Sequence, residues 1–240
     1  MPTVLLIRHG RTTANSSGVL AGWSPGVGLD ETGVEHAARL GQRLRTVALA
    51  RLVSSPLQRC QETAAHLAQD RANEVETDDD LGECRYGGWT GKSLSDLAKE
   101  PLWRVVQDHP SGATFPPDAT YAHESLAQMQ ARAVAAIRRL DREVAEAHGE
   151  HAVWAAVSHG DVIKALLADA FGMHLDSFQR IVVNPASLSV VRYAPRRAFV
   201  LRSNDTGGVD DLLPSELQSD SSDATPGGSP GADHATASDD

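Results

Sequence analysis

The chain has 240 residues, 41% of them hydrophobic, and a formal net charge of −10. This length and apolar content are sufficient for one α/β domain with a full hydrophobic core. Nine of the 32 acidic residues follow Arg202, which is the last lysine or arginine, so the preceding part of the chain is close to neutral. Proteins that bind nucleic acid by general electrostatic attraction carry a basic surplus, and the sequence therefore argues against nucleic acid as a partner.

No segment of the sequence predicts secretion or membrane insertion. The N-terminal region lacks a basic stretch followed by an apolar one, and no run of about 18 apolar residues occurs. Cys60 and Cys84 have neither C-x-x-C nor zinc-type spacing, so we expect buried, inert thiols rather than a disulfide or a metal site. A cytoplasmic protein without a membrane partner is the simplest expectation.

The first predicted elements alternate between strand and helix. Residues 4–7 form an apolar run typical of a buried strand, and Arg8 and His9 follow it directly. Asp30 is suited to cap a following amphipathic helix. Residues 51–54 then predict a second short strand.

The next part of the chain has less regular patterns. Ser55-Pro56 pairs a capping serine with a first-turn proline and predicts a helix that begins there, with Arg59 in its first turn. A weaker strand is predicted over residues 74–77. Residues 100–124 are rich in Pro, Gly and polar side chains, which indicates a lid or specificity loop.

The last third of the domain returns to strong patterns. A long amphipathic helix is predicted over residues 125–148, and residues 153–157 form a second buried apolar strand. A helix over residues 161–171 follows. Residues 187–193 and 198–204 predict a closing hairpin.

This alternation predicts an α/β fold with a mostly parallel central sheet and helices on both faces. We expect one domain over residues 1–204. Residues 205–240 are rich in Gly, Ser, Asp, Ala and Pro and have almost no apolar residues after Leu217, so they cannot offset their ordering entropy. They are predicted to be a disordered acidic tail, and a docking function of this tail is the less favoured alternative.

Four short motifs occur in order along this domain, each at a predicted strand or helix boundary. They are Arg8-His9-Gly10 with Asn15, the Ser-Ser-Pro-Leu-Gln-Arg-Cys-Gln-Glu-Thr-Ala run of residues 54–64, Leu81-Gly82-Glu83 followed by Tyr86-Gly87-Gly88-Trp89, and Ser158-His159-Gly160. Together they resemble the histidine phosphatase superfamily, whose members have the phosphoglycerate mutase-like fold. The resemblance extends over about residues 3–204.

The resemblance implies phosphoryl transfer through a histidine nucleophile. His9 matches the family nucleophile, whose neutral imidazole attacks phosphorus and forms phosphohistidine. We expect its other ring nitrogen to donate to a backbone carbonyl, which fixes the tautomer. Glu83 matches the family's general acid, and a carboxyl group beside a phosphate is expected to have a raised pKa. No cofactor or metal is implied, because arginines neutralise the charge of the substrate.

Other family positions would hold the phosphate. Arg8, Arg59 and His159 match the family's phosphate clamp, and we also count His159 among the catalytic residues. Asn15 is expected to add an amide donor. Arg11 departs from the family, which usually has glutamate at this position, and it would add a cation near the mouth of the site.

The sequence therefore predicts a metal-independent phosphomonoesterase that acts through phosphohistidine on a small phosphorylated metabolite. The alternative is a phosphoglycerate-type phosphomutase, in which a longer and strongly basic insert would follow Glu83. Residues 90–124 supply only Lys92, Lys99 and Arg104, which favours the phosphatase. A catalytically inactive binding protein on the same fold is less favoured, because the catalytic set is intact. The oligomeric state stays open, and a homodimer is one of the states the sequence allows.

Overall fold

A computed structural model describes residues 1–69, 71–72, 74–208 and 223–229. Its sheet has six strands: β1 (Thr3–Arg8), β2 (Leu49–Ser54), β3 (Val75–Thr77), β4 (Val153–Ser158), β5 (Leu188–Tyr193) and β6 (Ala198–Asp205). The α-helices of these residues are α1 (Thr13–Ser16), α2 (Glu31–Leu44), α3 (Gln58–Ala68), α4 (Leu94–Leu97), α5 (Pro101–Asp108), α6 (Leu126–His148) and α7 (Gly160–Phe171). No helix in these ranges is long and apolar enough to cross a membrane.

The strands lie in the order β3-β2-β4-β1-β5-β6. β1 to β4 run parallel to their neighbours in this group, and the β5–β6 hairpin joins β1 in antiparallel pairing. The predicted α/β fold with a mostly parallel sheet is therefore confirmed. In the register, Arg8 pairs with Ser158 and Val157 pairs with Ser54, so β1, β4 and β2 end at the same level.

Helices cover both faces of the sheet because side chains of successive strand residues point to opposite faces. Leu5 and Ile7 pack with α2 and α3 on one face. Val4 and Leu6 pack on the other face with α6 and α7. The central strands are consequently buried on both faces, as the apolar runs in the sequence predict.

The helix termini confirm one predicted cap, correct another and add a third that was not predicted. Asp30 caps α2 by accepting from the backbone N–H of Gly33, and Ser125 forms a capping box with Gln128 at the start of α6. The cap predicted at Ser55 is wrong, since α3 begins at Gln58 and its N-cap residue has no side-chain hydrogen bond. The Ser55 hydroxyl accepts from the N–H of Leu57 at 3.3 Å, before the helix begins, and contacts the ring of His159 at 2.7 Å.

Residues 100–124 are more regular than the predicted loop. Residues 101–108 form α5, which starts with Pro101 in its first turn and buries Trp103 and Val106. Proline is favoured at this helical position because the first-turn N–H groups have no partner inside the helix. The helix fixes Trp103 beside Trp89, with the ring centroids 6.3 Å apart.

The C-terminal region is described in two pieces. β6 extends to Asp205, one residue beyond the predicted domain boundary. Residues 223–229 are also described and contact α5 and Arg8. The other residues of the predicted tail, 209–222 and 230–240, lie outside the described residues.

Two glycines allow the loop after β1 to approach helix α2. A Cβ atom on Gly33 would lie 2.0 Å from the backbone oxygen of Arg11, and one on Gly10 would lie 2.6 Å from the backbone oxygen of Gly33. Contacts this short exclude any larger residue without movement of the backbone. The position of the His9 segment therefore depends on both glycines.

We expect Gly33→Ala to lower the free energy of unfolding by about 1–2 kcal/mol, because over-packing costs about 1–3 kcal/mol. Helix propensity alone would favour alanine by about 1 kcal/mol. A decrease in the free energy of unfolding would therefore show that the new Cβ clashes with the backbone of Arg11. Urea unfolding provides the measurement. Gly112→Ala is the control, since no atom lies within 4 Å of its new Cβ. Equal free energies of unfolding of the two variants would contradict the close approach of Gly33 to the backbone of Arg11.

Candidate active site

Three neighbouring strands deliver the predicted site residues to one edge of the sheet. His9 follows β1, His159 follows β4, and Arg59 lies in the first turn of α3, shortly after β2. In open α/β sheets, ligands bind outside the carboxyl ends of the strands. The structure therefore brings these three side chains together at the edge where a ligand site is expected.

The imidazole of His9 is held by a contact at each ring nitrogen. Its Nδ1 lies 2.7 Å from the backbone oxygen of Gly10. A carbonyl oxygen can only accept, so Nδ1 carries the proton, as the sequence analysis predicts. Its Nε2 accepts from Nε of Arg59 at 3.2 Å. The Nε2 lone pair is therefore the nucleophilic position of this side chain.

The surroundings of His9 keep its ring neutral. Burial, together with the positive charges of Arg59 and Arg8, lowers the pKa of His9 well below its usual value of 6.5. An imidazolium ion has no lone pair for attack, so this shift favours the nucleophilic form at neutral pH. The same cations can attract a phosphate group to the site.

His159 is fully buried and lies next to His9, with the ring centroids 5.2 Å apart. Its Nδ1 is 3.2 Å from an NH2 group of Arg59, and its Nε2 is 2.7 Å from the hydroxyl of Ser55. Since the guanidinium can only donate, Nδ1 accepts in this arrangement and Nε2 donates to Ser55. Burial and Arg59 also lower the pKa of His159.

Glu83 lies on the opposite side of His159 from Ser55. One carboxyl oxygen is 3.7 Å from Nδ1 of His159, and the other accepts from the backbone N–H of Cys84 at 2.9 Å. Burial, followed by the negative charge of Asp161, raises the pKa of Glu83 to about 7. The carboxyl group is thus suited to hold a proton near neutral pH, as a general acid requires.

A group of residues that the sequence analysis did not select supports Glu83. Trp23 and Arg132 both donate to the backbone oxygen of Glu83, at 2.7 and 2.9 Å. The carboxylate of Asp161 is buried and accepts from the hydroxyl of Tyr86 at 2.8 Å. Asp161 directly follows the Ser158-His159-Gly160 motif, and this position is the only feature of the sequence that indicates its place beside Glu83.

Arg8 is completely buried. One of its NH groups donates to the backbone oxygen of Val183 at 2.8 Å. The guanidinium also donates to backbone oxygens of the C-terminal segment, namely those of Gly227, Gly228 and Ser229. Burial lowers the pKa of Arg8 to about 10, so the side chain remains a cation at neutral pH.

Asn15 and Arg11 have partners within the protein. Oδ1 of Asn15 accepts from the N–H of Thr12 in the cap of α1, while the residue also lines the small cavity beside His9. Its amide nitrogen is therefore the atom that can donate to a ligand. Arg11 donates to Asp30 at 2.8 Å and to Thr32 at 2.7 Å. The predicted contact between Arg11 and substrate stays a prediction.

Both cysteines are buried, and Cys60 contacts the site more closely than its sequence position suggests. Its sulfur lies 3.4 Å from Nε2 of His159. Burial nevertheless raises the pKa of Cys60 to about 12, and it raises that of Cys84 well above the usual value. Thiols with raised pKa values are poor nucleophiles.

We therefore expect that the thiols of the native protein do not react rapidly at pH 8 with a disulfide reagent such as 5,5′-dithiobis(2-nitrobenzoate). Both thiols should react once the chain is unfolded in guanidinium chloride, which serves as the control. One equivalent that reacts rapidly in the native protein would show that Cys60 or Cys84 is activated. Mass spectrometry of the labelled protein would identify which one.

Comparison with known proteins agrees with this geometry. The family model for the histidine phosphatase superfamily (branch 1) matches residues 4–206. "Bifunctional protein Rv2228c" of Mycobacterium tuberculosis is 32% identical over 209 residues, which are 85% of this chain and 54% of that protein. The chain thus spans about half the length of this relative.

The alignment with other similar proteins extends over almost their full length. "Phosphoserine phosphatase 1" of Hydrogenobacter thermophilus is 28% identical over 86% of this chain and 93% of its own length. "Probable phosphoglycerate mutase GpmB" of Yersinia pestis is 30% identical over 91% of this chain and 100% of its own length. The structure of the alpha-ribazole phosphatase from Shigella flexneri has a TM-score of 0.72 and 26% identity, covering 85% of this chain and 96% of that one. The chain belongs to the histidine phosphatase superfamily.

Proposed function

We propose that this chain is a metal-independent phosphomonoesterase that acts through a phosphohistidine intermediate on a small phosphorylated metabolite. The observation that carries the proposal is the state of His9. Its ring is neutral, its proton is on Nδ1, and its Nε2 lone pair faces the buried guanidinium of Arg59. The carboxyl group of Glu83, with a pKa of about 7, lines the same small cavity as His9.

In the first step, Nε2 of His9 attacks phosphorus in line with the ester oxygen. A P–N bond forms and the P–O ester bond breaks, while Glu83 donates its proton to the leaving oxygen. Arg8 and Arg59 hold the non-bridging oxygens and neutralise their charge, which is the main requirement of phosphoryl transfer. Asn15 adds an amide donor in this proposal.

The second step returns His9 to its starting state. Glu83 is now a carboxylate and removes a proton from water, which attacks the phosphorus of phosphohistidine. The P–N bond breaks, its electron pair returns to Nε2, and inorganic phosphate leaves. Glu83 ends the cycle protonated, as it began.

His159 can change its protonation when the substrate binds. An incoming phosphate dianion favours the charged imidazolium, because opposite charges in a buried site attract strongly. Protonated Nδ1 then becomes a donor that can hold a phosphate oxygen. Ser55 accepts from Nε2 in both states and so keeps the ring oriented.

The basic residues of the segment after Glu83 favour a phosphatase over a mutase. Lys92 pairs with Glu100 and Lys99 with Asp96, while Arg104 pairs with Asp108 of its own helix as well as with Asp223. Each of these three cations is therefore engaged with a carboxylate in the described part of the chain. Similarity to two proteins named as phosphatases points in the same direction.

A phosphoglycerate-type mutase is the second candidate, and the 30% identity to a protein named as a "probable phosphoglycerate mutase" favours it. The two activities share the first chemical step and differ in the acceptor, which is water in a phosphatase and a sugar-acid oxygen in a mutase. The residues that perform the shared first step are the same in both candidates, so they do not distinguish a phosphatase from a mutase.

The function is tested by measuring phosphate release from a panel of phosphomonoesters in the presence of EDTA. We expect activity that His9→Ala reduces by at least about 10⁴-fold, because the covalent route is then lost. His151→Ala replaces an exposed histidine and is the matched control. Release that persists in His9→Ala would overturn the proposed nucleophile.

The same panel includes 3-phosphoglycerate with catalytic 2,3-bisphosphoglycerate. Formation of 2-phosphoglycerate with little phosphate release would establish the mutase. Absence of both activities, together with absence of phosphorylation at His9 after incubation with the substrates, would favour an inactive binding protein.

The pH profile tests the role of Glu83. Its carboxyl group must be protonated in the first step, so kcat/KM for an alkyl phosphate should fall by about tenfold per pH unit above its pKa. The fall is expected to begin near the pKa of about 7. In Glu83→Gln, kcat/KM reports the first step alone, and it should fall strongly with alkyl phosphates and less with p-nitrophenyl phosphate, whose leaving group needs no proton. Equal losses on both substrates would contradict the assignment.

A further inference from the structure

Residues 223–229 (Asp-Ala-Thr-Pro-Gly-Gly-Ser), hereafter the strap, cross from α5 to the catalytic edge of the sheet. The outer end of the strap is anchored on α5. Asp223 accepts from Trp103 at 2.9 Å and from Arg104 at 2.6 Å. The side-chain amide of Gln107 forms two hydrogen bonds with the backbone of Ala224, at 2.8 and 2.9 Å.

The inner end of the strap lies on the phosphate-binding side chains. The N–H of Gly227 donates to the carboxylate of Asp161 at 2.9 Å. Arg8 donates to three successive backbone oxygens of the strap, at 3.2 Å for Gly227, 3.2 Å for Gly228 and 2.7 Å for Ser229. These carbonyl oxygens occupy the acceptor positions of a guanidinium that the catalytic proposal assigns to phosphate oxygens.

The backbone of the strap fits this place only because it contains two glycines. Gly227 and Gly228 have φ values of +77° and +88°, which side chains with a Cβ rarely adopt. A Cβ on Gly228 would lie 2.8 Å from Cζ of Arg8. A Cβ on Gly160 would lie 2.6 Å from the oxygen of Gly227, so the strap packs directly on the second histidine motif.

With the strap in place, little room remains beside His9. The cavity there has a volume of about 20 Å³ and is bounded by His9, Arg59 and Glu83 and by Gly227 and Gly228 of the strap. This volume holds about one water molecule, and a phosphoryl group with its ester is several times larger. A bound substrate and the strap in this position therefore exclude one another.

We propose that the strap is an autoinhibitory segment, which uses its backbone carbonyls in place of phosphate oxygens and must leave before a phosphomonoester binds. The regulatory meaning rests on the proposed function, since the strap covers that same site. The strap offers Arg8 only neutral dipoles, and Nε of Arg8 is buried without a hydrogen-bond partner among the described residues. A phosphate dianion offers Arg8 charge-assisted hydrogen bonds, which are stronger. Phosphate can therefore displace the strap.

The test uses the full-length chain with Gly228→Ala, which places a methyl group against Arg8 and leaves every catalytic side chain unchanged. Calorimetric titration with inorganic phosphate should show a Kd lower by roughly tenfold, since the apparent affinity is reduced by the fraction of molecules with an open site. KM for p-nitrophenyl phosphate should fall by the same factor while kcat stays constant. Gln107→Ala weakens the outer anchor and should act in the same direction.

Gly149→Ala is the matched control for backbone strain. Gly149 has the same φ of +88°, and its new Cβ would have no atom within 4 Å. Thermal unfolding of each variant confirms that the domain is intact. The control should leave both Kd and KM unchanged.

Hydrogen–deuterium exchange gives a direct readout on the wild-type chain. The amides of Ala224 and Gly227 are hydrogen-bonded in the strap and should exchange faster when phosphate is added. Slower exchange, or weaker phosphate binding by Gly228→Ala, would show that the strap closes over its ligand and would overturn the autoinhibitory role. An unchanged Kd would also overturn it.

The two proposals fail in different ways. Tighter phosphate binding by Gly228→Ala without turnover of any monoester would support the strap and contradict the phosphatase. Turnover that depends on His9, with equal phosphate Kd in both proteins, would support the phosphatase and contradict the strap.

Discussion

The guanidinium of Arg59 contacts both histidines, and the chemistry of the site depends on this single cation. Its Nε lies 3.2 Å from Nε2 of His9, and its NH2 lies 3.2 Å from Nδ1 of His159. Burial, together with this permanent positive charge, lowers the pKa of both imidazoles and keeps both neutral. It also leaves each ring with one defined acceptor nitrogen. The arrangement requires β2, β4 and β1 to be neighbours in that order, because only then do their ends meet around one arginine.

Buried charges impose a second constraint, since an unpaired buried ion costs several kcal/mol, about 3–5 when its partner is removed. Arg8 and Arg59 are balanced in the interior by the carboxylates of Glu83 and Asp161. Burial, followed by the negative charge of Asp161, raises the pKa of Glu83 to about 7, so this carboxyl group can carry a proton near neutral pH. The charge balance and the assignment of a general acid are therefore two consequences of one arrangement.

Much of the fold and the principal site residues could be predicted because their signals are local. The apolar runs at β1 and β4 and the motifs that follow them place His9 and His159 at a strand end without knowledge of tertiary contacts. Ser55 shows the limit of this reasoning. Its local pattern fits a helix cap, but a histidine 104 positions away in the chain takes its hydroxyl. Arg132 likewise supports Glu83 from a distant helix, and nothing in its own neighbourhood in the sequence signals that contact.

The strap was beyond sequence reasoning for a different physical reason. Composition rules for disorder ask whether a segment buries enough apolar surface to offset its ordering entropy, and by that measure residues 223–229 should not order. These residues are ordered by polar contacts, because the buried guanidinium of Arg8 requires hydrogen-bond acceptors. Glycine carbonyls satisfy this need because they approach Arg8 without a side chain in the way. Release of the strap alone would leave Arg8 without these acceptors, whereas phosphate oxygens can replace them, so departure of the strap is coupled to binding of the ligand.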